Sequence, residues 1–257
     1  MPAVLYEKKG HAAYVTINRP EAMNALNQDV QNTLRKIWEE IETDDDVFLA
    51  ILTGSGQKAF SAGADLKEGE SGHRKEDFLY MRGFLPKGPA AREVSKPIIA
   101  AIQGYCLAGG LELALACDIR IAADTAVFGC PEPRWSLLHG YGALVMPWTV
   151  HLSNVMDLLL TGRRIDAQEA LRVGLVSRVV PVAKLMPTVD EIVSQILQAA
   201  PLAIKATKEL ARMRERDGIE PALRAYYSYR ALLHHSQDYK EGSTAFKEKR
   251  TPAFKSR

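Results

Sequence analysis

Glu112 and Glu132 are the residues whose types and surroundings best suit proton chemistry. Glu112 lies in Gly104-Tyr-Cys-Leu-Ala-Gly-Gly-Leu-Glu112-Leu-Ala-Leu-Ala-Cys-Asp118, in the first turn of an apolar helix and just after a Gly-Gly pair. Glycines there let a ligand come close to the backbone. The N–H groups of a helix start have no partner within the helix and can hold a developing oxyanion. The helix dipole alone would favour a carboxylate in that turn. Yet Leu111, Leu113, Ala114 and Leu115 surround it, and a carboxylate buried in such company is frequently catalytic. Glu132 follows Pro131 in the turn of Phe128-Gly-Cys-Pro-Glu132. Alone it would pass for a surface residue. Paired with Glu112, it completes a set in which one carboxylate serves as base and the other as acid.

Other motifs are weaker. Ser61-Ala-Gly-Ala-Asp65-Leu-Lys67 places small residues before a carboxylate, as expected of a backbone held against a ligand. Asp65 also suits a plain turn, as the N-cap of a short helix. Gly54-Ser-Gly56-Gln-Lys-Ala59 fits a loose dinucleotide pattern, but no clear long helix opens after it. The histidines at 11, 73, 139, 151, 234 and 235 show no metal-ligand spacing. No G-x-S-x-G elbow of a serine hydrolase occurs.

The elements that must position these residues read as α/β. Ala12 to Asn18 is a strand stopped by Arg19-Pro20, and Ala25 to Ile41 is an amphipathic helix with Leu26, Val30, Leu34, Ile37 and Ile41 at helical spacing. Val47 to Thr53, Ile98 to Gln103, Ile119 to Ala122 and Val176 to Val180 read as strands. Asp166 caps a helix that ends near Gly174. Residues 54–90, rich in Gly, Lys and Glu, read as a long mobile loop with short helices, of the kind that covers a site. Strands alternating with helices argue α/β. After about Val182 the pattern is helical only, over Ile192 to Ala199, Ala203 to Arg216 and Ile219 to Leu233. The chain divides into an α/β part, 1–195, and a helical part, 196–257.

Bulk properties exclude several classes. With 257 residues and 47% hydrophobic content the chain can build a full core. A net charge of +2 and scattered basic residues give no sign of a nucleic-acid or membrane binder. Cys106, Cys117 and Cys130 form an odd set without C-x-x-C spacing, which suits free thiols in a reducing cytosol. No secretory leader is visible and no apolar run approaches the ~18 residues of a membrane span. The expectation is a cytoplasmic protein.

Several segments together resemble the crotonase (enoyl-CoA hydratase/isomerase) superfamily over nearly the whole chain. They are Ile17-Asn-Arg-Pro20 with Asn24-Ala-Leu26, Ala59 to Lys67, Lys96 to Gly104 running into the Glu112 helix, Phe128 to Glu132, Leu160-Thr-Gly-Arg163 and Ala170 to Val176. The resemblance implies a spiral of ββα units with C-terminal helices that build a trimer, often paired into a hexamer. It implies an acyl-CoA thioester substrate, with coenzyme A entering as part of it and no separate cofactor or metal. The N–H groups of Ala64 and Gly109 would form the oxyanion hole, and Ala62, Asp65, Leu66 and Lys67 would line the CoA groove. Glu112 and Glu132 match the two glutamates of hydratases, and Lys249, in the terminal helix, matches a position that can reach a CoA phosphate. A hydratase would then add water across C2=C3 of a 2-enoyl thioester, Glu112 orienting water and Glu132 supplying the proton to C2.

The chain departs from the family after Glu132. Where ordinary hydratases tend to read G-x-x-P-G-x-G-G-T-Q-R, it reads Ser136-Leu-Leu-His139-Gly140-Tyr141-Gly-Ala-Leu-Val-Met146. Trp135, His139, Gly140 and Tyr141 would lie near the acyl end, which favours a short, polar, cyclic or aromatic acyl group over a straight fatty chain. The alternatives are a Δ3-Δ2 enoyl-CoA isomerase within the family, or a non-catalytic crotonase-like binding protein. Near-neutral charge without a basic–aromatic stripe argues against an RNA-binding form of the latter.

Overall fold

The computed structural model describes residues 1–65 and 90–256. Two sheets carry the chain. The first has six strands in the order β1 (Val4–Lys9), β2 (Ala12–Ile17), β3 (Leu49–Gly54), β5 (Ile98–Ile102), β7 (Ile119–Ala123) and β10 (Arg178–Val180). The second joins four short strands: β4 (Ala59–Ser61), β6 (Tyr105–Leu107), β8 (Val127–Gly129) and β9 (Arg164–Asp166). Both are parallel except at the β1–β2 and β8–β9 pairs. The chain winds repeatedly from a long strand of the first sheet to a short strand of the second. After β5 and β6 comes helix α2 (Gly109–Ala116), and after β7 and β8 comes α3 (Gly140–Val145). The expected α/β spiral of ββα units is borne out.

The first sheet is covered on both faces, which is why β5 is buried at all five positions. Ala50, Leu52, Ile98, Ala100 and Ile102 face one apolar cluster, with Val30, Leu34, Ile37, Trp38 and Ile41 of α1 (Gln28–Thr43). Leu49, Ile51, Ile99, Ala101 and Ile121 face the other, with Leu185, Val189, Ile192 and Val193 of α6 (Leu185–Leu197). Between them, α4 (Leu152–Thr161) and α5 (Ala167–Arg172) continue the spiral. Asp166 does cap α5, accepting from the Glu169 N–H at 2.7 Å. The C-terminal helices are α7 (Pro201–Asp217), α8 (Ile219–His235) and α9 (Gln237–Glu248). The expected division at 195/196 lies two residues before the end of α6, a helix that packs on the sheet.

Several boundaries differ from the sequence reading. α1 begins at Gln28, capped by Asn27, whose side chain accepts from the Val30 N–H at 3.0 Å. Ala25 and Leu26 stay outside it because the Leu26 N–H is committed to the Gly63 carbonyl at 2.8 Å. β4, β6 and β9, three residues each, were too short to show a period. α4 was not anticipated, the terminal helix implied by the resemblance is α9, and α6 starts at Leu185 with Pro187 in its first turn, where proline is tolerated. The loop expected over 54–90 contains β4, and its residues 66–89 lie outside the described residues. The Gly54-Ser-Gly56 pattern leads into β4, and a Cβ at Gly54 would sit 2.3 Å from the Phe60 carbonyl oxygen, so backbone already fills the space a phosphate would need.

Candidate active site

The start of α2 meets the segment that follows β4. A Cβ on Gly63 would lie 3.1 Å from the Gly109 nitrogen, and one on Gly109 would lie 3.7 Å from the Ala64 nitrogen. The Ala64 and Gly109 N–H groups are therefore neighbours, and among the described residues neither is given a backbone acceptor. For Gly109 this follows from its place as the first helical residue. Leu26 holds the segment from the other side, its N–H on Gly63 and its carbonyl accepting from Asp65 at 3.3 Å. The Asp65 carboxylate pairs with Arg19 at 2.9 Å. Ala108, which precedes α2, has φ 52° and ψ −131°, a backbone conformation that costs an L-residue energy and is typically kept where function needs it. Gly110 has no alternative residue here, since a Cβ would lie 2.3 Å from the Ser61 carbonyl oxygen.

Both glutamates are buried, each about 9% exposed. One segment, residues 139–142, reaches both. The Glu112 carboxylate accepts the N–H of Tyr141 at 2.7 Å and of Gly142 at 3.4 Å through its Oε1. Burial pushes the Glu112 carboxyl above its ordinary value. His139 and the two N–H groups oppose that shift, and the charge of Glu132 adds to it. Glu132 sits in a 3₁₀ turn, Glu132–Trp135, with Oε1 2.5 Å from Nδ1 of His139. Among the described residues, its Oε2 and the Nε2 of His139 are buried without a partner. The His139 imidazole is itself 3% exposed. Burial opposes its charge, but the Cys130 and Glu132 side chains outweigh that and raise it to about 10.

A further shell connects this centre to the C-terminal helices. The Tyr141 hydroxyl accepts from Arg92 at 2.7 Å, and Arg92 pairs with Glu215 of α7 at 3.2 Å. Lys208 and Arg212 of α7 pair with Asp118, just past α2, at 2.7 and 2.9 Å.

Among the expected residues, Glu112, Glu132, His139, Gly140 and Tyr141 come together, as do Ala64, Gly109, Ala62 and Asp65. Trp135 closes the Glu132 turn but is 70% exposed. Leu66 and Lys67 lie outside the described residues. Lys249 is the exposed left-handed cap of α9 rather than part of the helix, and among the described residues no ion pair joins it to the other site residues. Arg92, Arg19 and Gly142 were not singled out as site residues. Arg92 carries no local signal, whereas Arg19 lies in the Ile17-Asn-Arg-Pro20 segment and Gly142 in the Ser136 to Met146 segment without a role of their own.

The spiral of two sheets, with paired N–H groups at a helix start, defines a crotonase-like fold. The crystal structure of enoyl-CoA hydratase from Bacillus anthracis superimposes with a TM-score of 0.94 at 34% identity, covering 99% of this chain and 100% of that one. The family model for enoyl-CoA hydratase/isomerase matches residues 7–257, and the chain belongs to that family, within the crotonase superfamily. It is 41% identical over 256 residues to (E)-benzylidenesuccinyl-CoA hydratase of Thauera aromatica, with 99% of each chain covered. It is 39% identical to the short-chain-enoyl-CoA hydratase of Clostridium acetobutylicum, with 99% of this chain and 98% of that one covered.

Proposed function

We propose that the chain is an enoyl-CoA hydratase that adds water across C2=C3 of a 2-enoyl-CoA thioester, or runs the reverse dehydration. The observation that carries this reading is two buried carboxylates gathered by one segment beside two N–H groups that have no backbone acceptor among the described residues. The Ala64 and Gly109 N–H groups bind the thioester oxygen as it gains enolate charge, each donor contributing about 3 kcal/mol in the transition state. C3 becomes electrophilic. Glu112, anchored by the Tyr141 and Gly142 N–H groups, orients the attacking water. Glu132 delivers a proton to C2 through Oε2. Hydroxide goes to C3, and the proton left by water replaces the one delivered. No redox step occurs.

Ala62, Asp65, Leu66, Lys67 and Lys249 are assigned to the CoA portion. Asp65 contributes backbone, because its carboxylate is engaged by Arg19. Trp135, His139, Gly140 and Tyr141 are assigned to the acyl end, for a short, polar, cyclic or aromatic acyl group. The name of the Thauera relative, a benzylidenesuccinyl-CoA hydratase, supports the aromatic case. Helices α7–α9 are assigned to a homotrimer, or a hexamer of two trimers. In support, α7–α9 form a groove of about 720 Å³ lined by Leu210, Tyr226, Leu233 and Phe246. No helix among the described residues is long and apolar enough to cross a membrane, and we assign the protein to the cytoplasm.

A panel of aliphatic, cyclic and aromatic 2-enoyl-CoA thioesters, followed by loss of conjugated absorbance and by mass, tests the reading. The expected result is a gain of one water, abolished in Glu132→Gln. Loss of conjugation without mass change would mean isomerisation, free CoA would mean hydrolysis, and inertness would mean a binding protein. Equal use of crotonyl and long-chain substrates with aromatic ones refused would overturn the acyl assignment.

A further inference from the structure

Resting on the hydratase reading, we propose that His139 is a positioning residue, its Nδ1–H fixing Oε1 of Glu132 so that Oε2 alone exchanges a proton with the ligand. The contact is 2.5 Å between side chains that are 2% and 10% exposed. With the deliverable proton on Oε2, Oε1 can only accept, so Nδ1 must be the donor. Oε2 is the one Glu132 oxygen left without a partner. With Oε1 held, the carboxyl cannot rotate to present either oxygen, and a proton transferred at Oε2 always leaves from one place. Positioning of this kind lowers the reorganisation needed at the moment of transfer.

The ring is itself held. A Cβ at residue 142 would lie 2.1 Å from His139 Nε2 and 2.3 Å from its Cδ2. The imidazole therefore packs where only glycine leaves room. The same turn sends the Tyr141 and Gly142 N–H groups to Glu112. His139 thus ties the acid to the backbone that anchors the water-orienting carboxylate, and sets the two carboxylates in one frame. The groups facing its ring are the Cys130 thiol, Glu132 and Glu112. Of these Glu132 is the partner whose free oxygen can reach a substrate.

Two variants and one spectrum test this. His139→Ala removes the donor. His139→Asn keeps an N–H near the position of Nδ1 but cannot titrate. His139→Ala should lower kcat by about tenfold to a hundredfold, a share of what a positioned acid supplies, with KM changed far less than kcat. His139→Asn should recover most of that loss. In the unaltered protein the Nδ1 proton should resonate far downfield in the NMR spectrum. It should vanish in His139→Asn and move upfield in Glu132→Gln, a readout that needs no substrate. If His139→Ala is too unstable to assay, His139→Asn and the spectrum decide the matter. An unmoved kcat in His139→Ala, an inactive but folded His139→Asn, or a resonance indifferent to Glu132→Gln would each overturn the proposal. Absence of hydration by the unaltered enzyme would instead overturn the hydratase reading and with it the role given to His139.

Discussion

At the scale of single residues, the two carboxylates are distinguished by their partners rather than by their burial. Glu112 is pinned by main chain, which cannot gain or lose a proton, whereas Glu132 is pinned by an imidazole, which can. This difference has a measurable consequence for stability. His139 is raised from 6.5 to about 10, so the folded chain keeps a proton that the unfolded chain releases. The contribution of His139 with its partners Cys130 and Glu132 is complete below about 6.5 and is lost as pH climbs towards about 10. Glu112, pushed upwards by burial, acts in the same sense. Denaturation midpoints measured across that window should therefore fall more steeply for the unaltered protein than for His139→Asn, and parallel curves would refute the pairing. Gly142→Ala should cost about 1–3 kcal/mol by overpacking the ring of His139. The double variant with His139→Ala should be less destabilised than the sum of the two, because the clash disappears with the ring. Additive losses would mean that Gly142 matters for another reason.

At the scale of elements, the start of α2 is the decisive piece. Gly109 and Gly110 let it abut the β4 segment, Ala108 adopts a strained backbone to aim it, and Leu26 is withdrawn from α1 to hold Gly63 and Asp65 in place. The other side of the site depends on α7 through Glu215, Arg92 and the Tyr141 hydroxyl. Arg92→Leu should leave the buried Tyr141 hydroxyl and Glu215 without their cation, destabilising the fold by about 1–3 kcal/mol and lowering kcat by shifting the backbone that holds Glu112. Tyr141→Phe removes only the hydroxyl and keeps its N–H on Glu112, so its kcat should fall less. Melting curves and steady-state kinetics of both variants check the order. The reverse order would show that the hydroxyl itself reaches the substrate.

At the scale of the whole molecule, the described surface carries large apolar side chains that a lone chain would leave wet. Trp135, Leu138, Leu144, Leu160, Leu232 and Phe246 are each more than 60% exposed, Leu232 and Phe246 on α8 and α9. With a chain mass of 28.4 kDa, light scattering should return a particle of three or six chains. A stable monomer would remove the assembly assigned to α7–α9.

The sequence by itself determined the family and the α/β order, and it singled out Glu112 and Glu132, which the fold gathers on one segment. Those signals are local: the Gly-Gly-Leu-Glu112 helix start, the uninterrupted apolar strand at Ile98, and motifs in a fixed order along the chain. It also identified His139 as a departure, but not its contact with Glu132. Only the tertiary structure decided how the carboxylates are held: Glu112 takes main chain from a later segment and Glu132 takes His139 across a turn without periodicity, and the contacts that steady them span longer stretches of chain. Arg92 reaches Tyr141, Glu215 reaches Arg92, and Leu26 reaches Gly63, with no periodicity or motif to announce any of them. The short strands β4, β6 and β9 were invisible for the same reason. Three residues carry no pattern of their own, and they are strands because their neighbours offer hydrogen bonds.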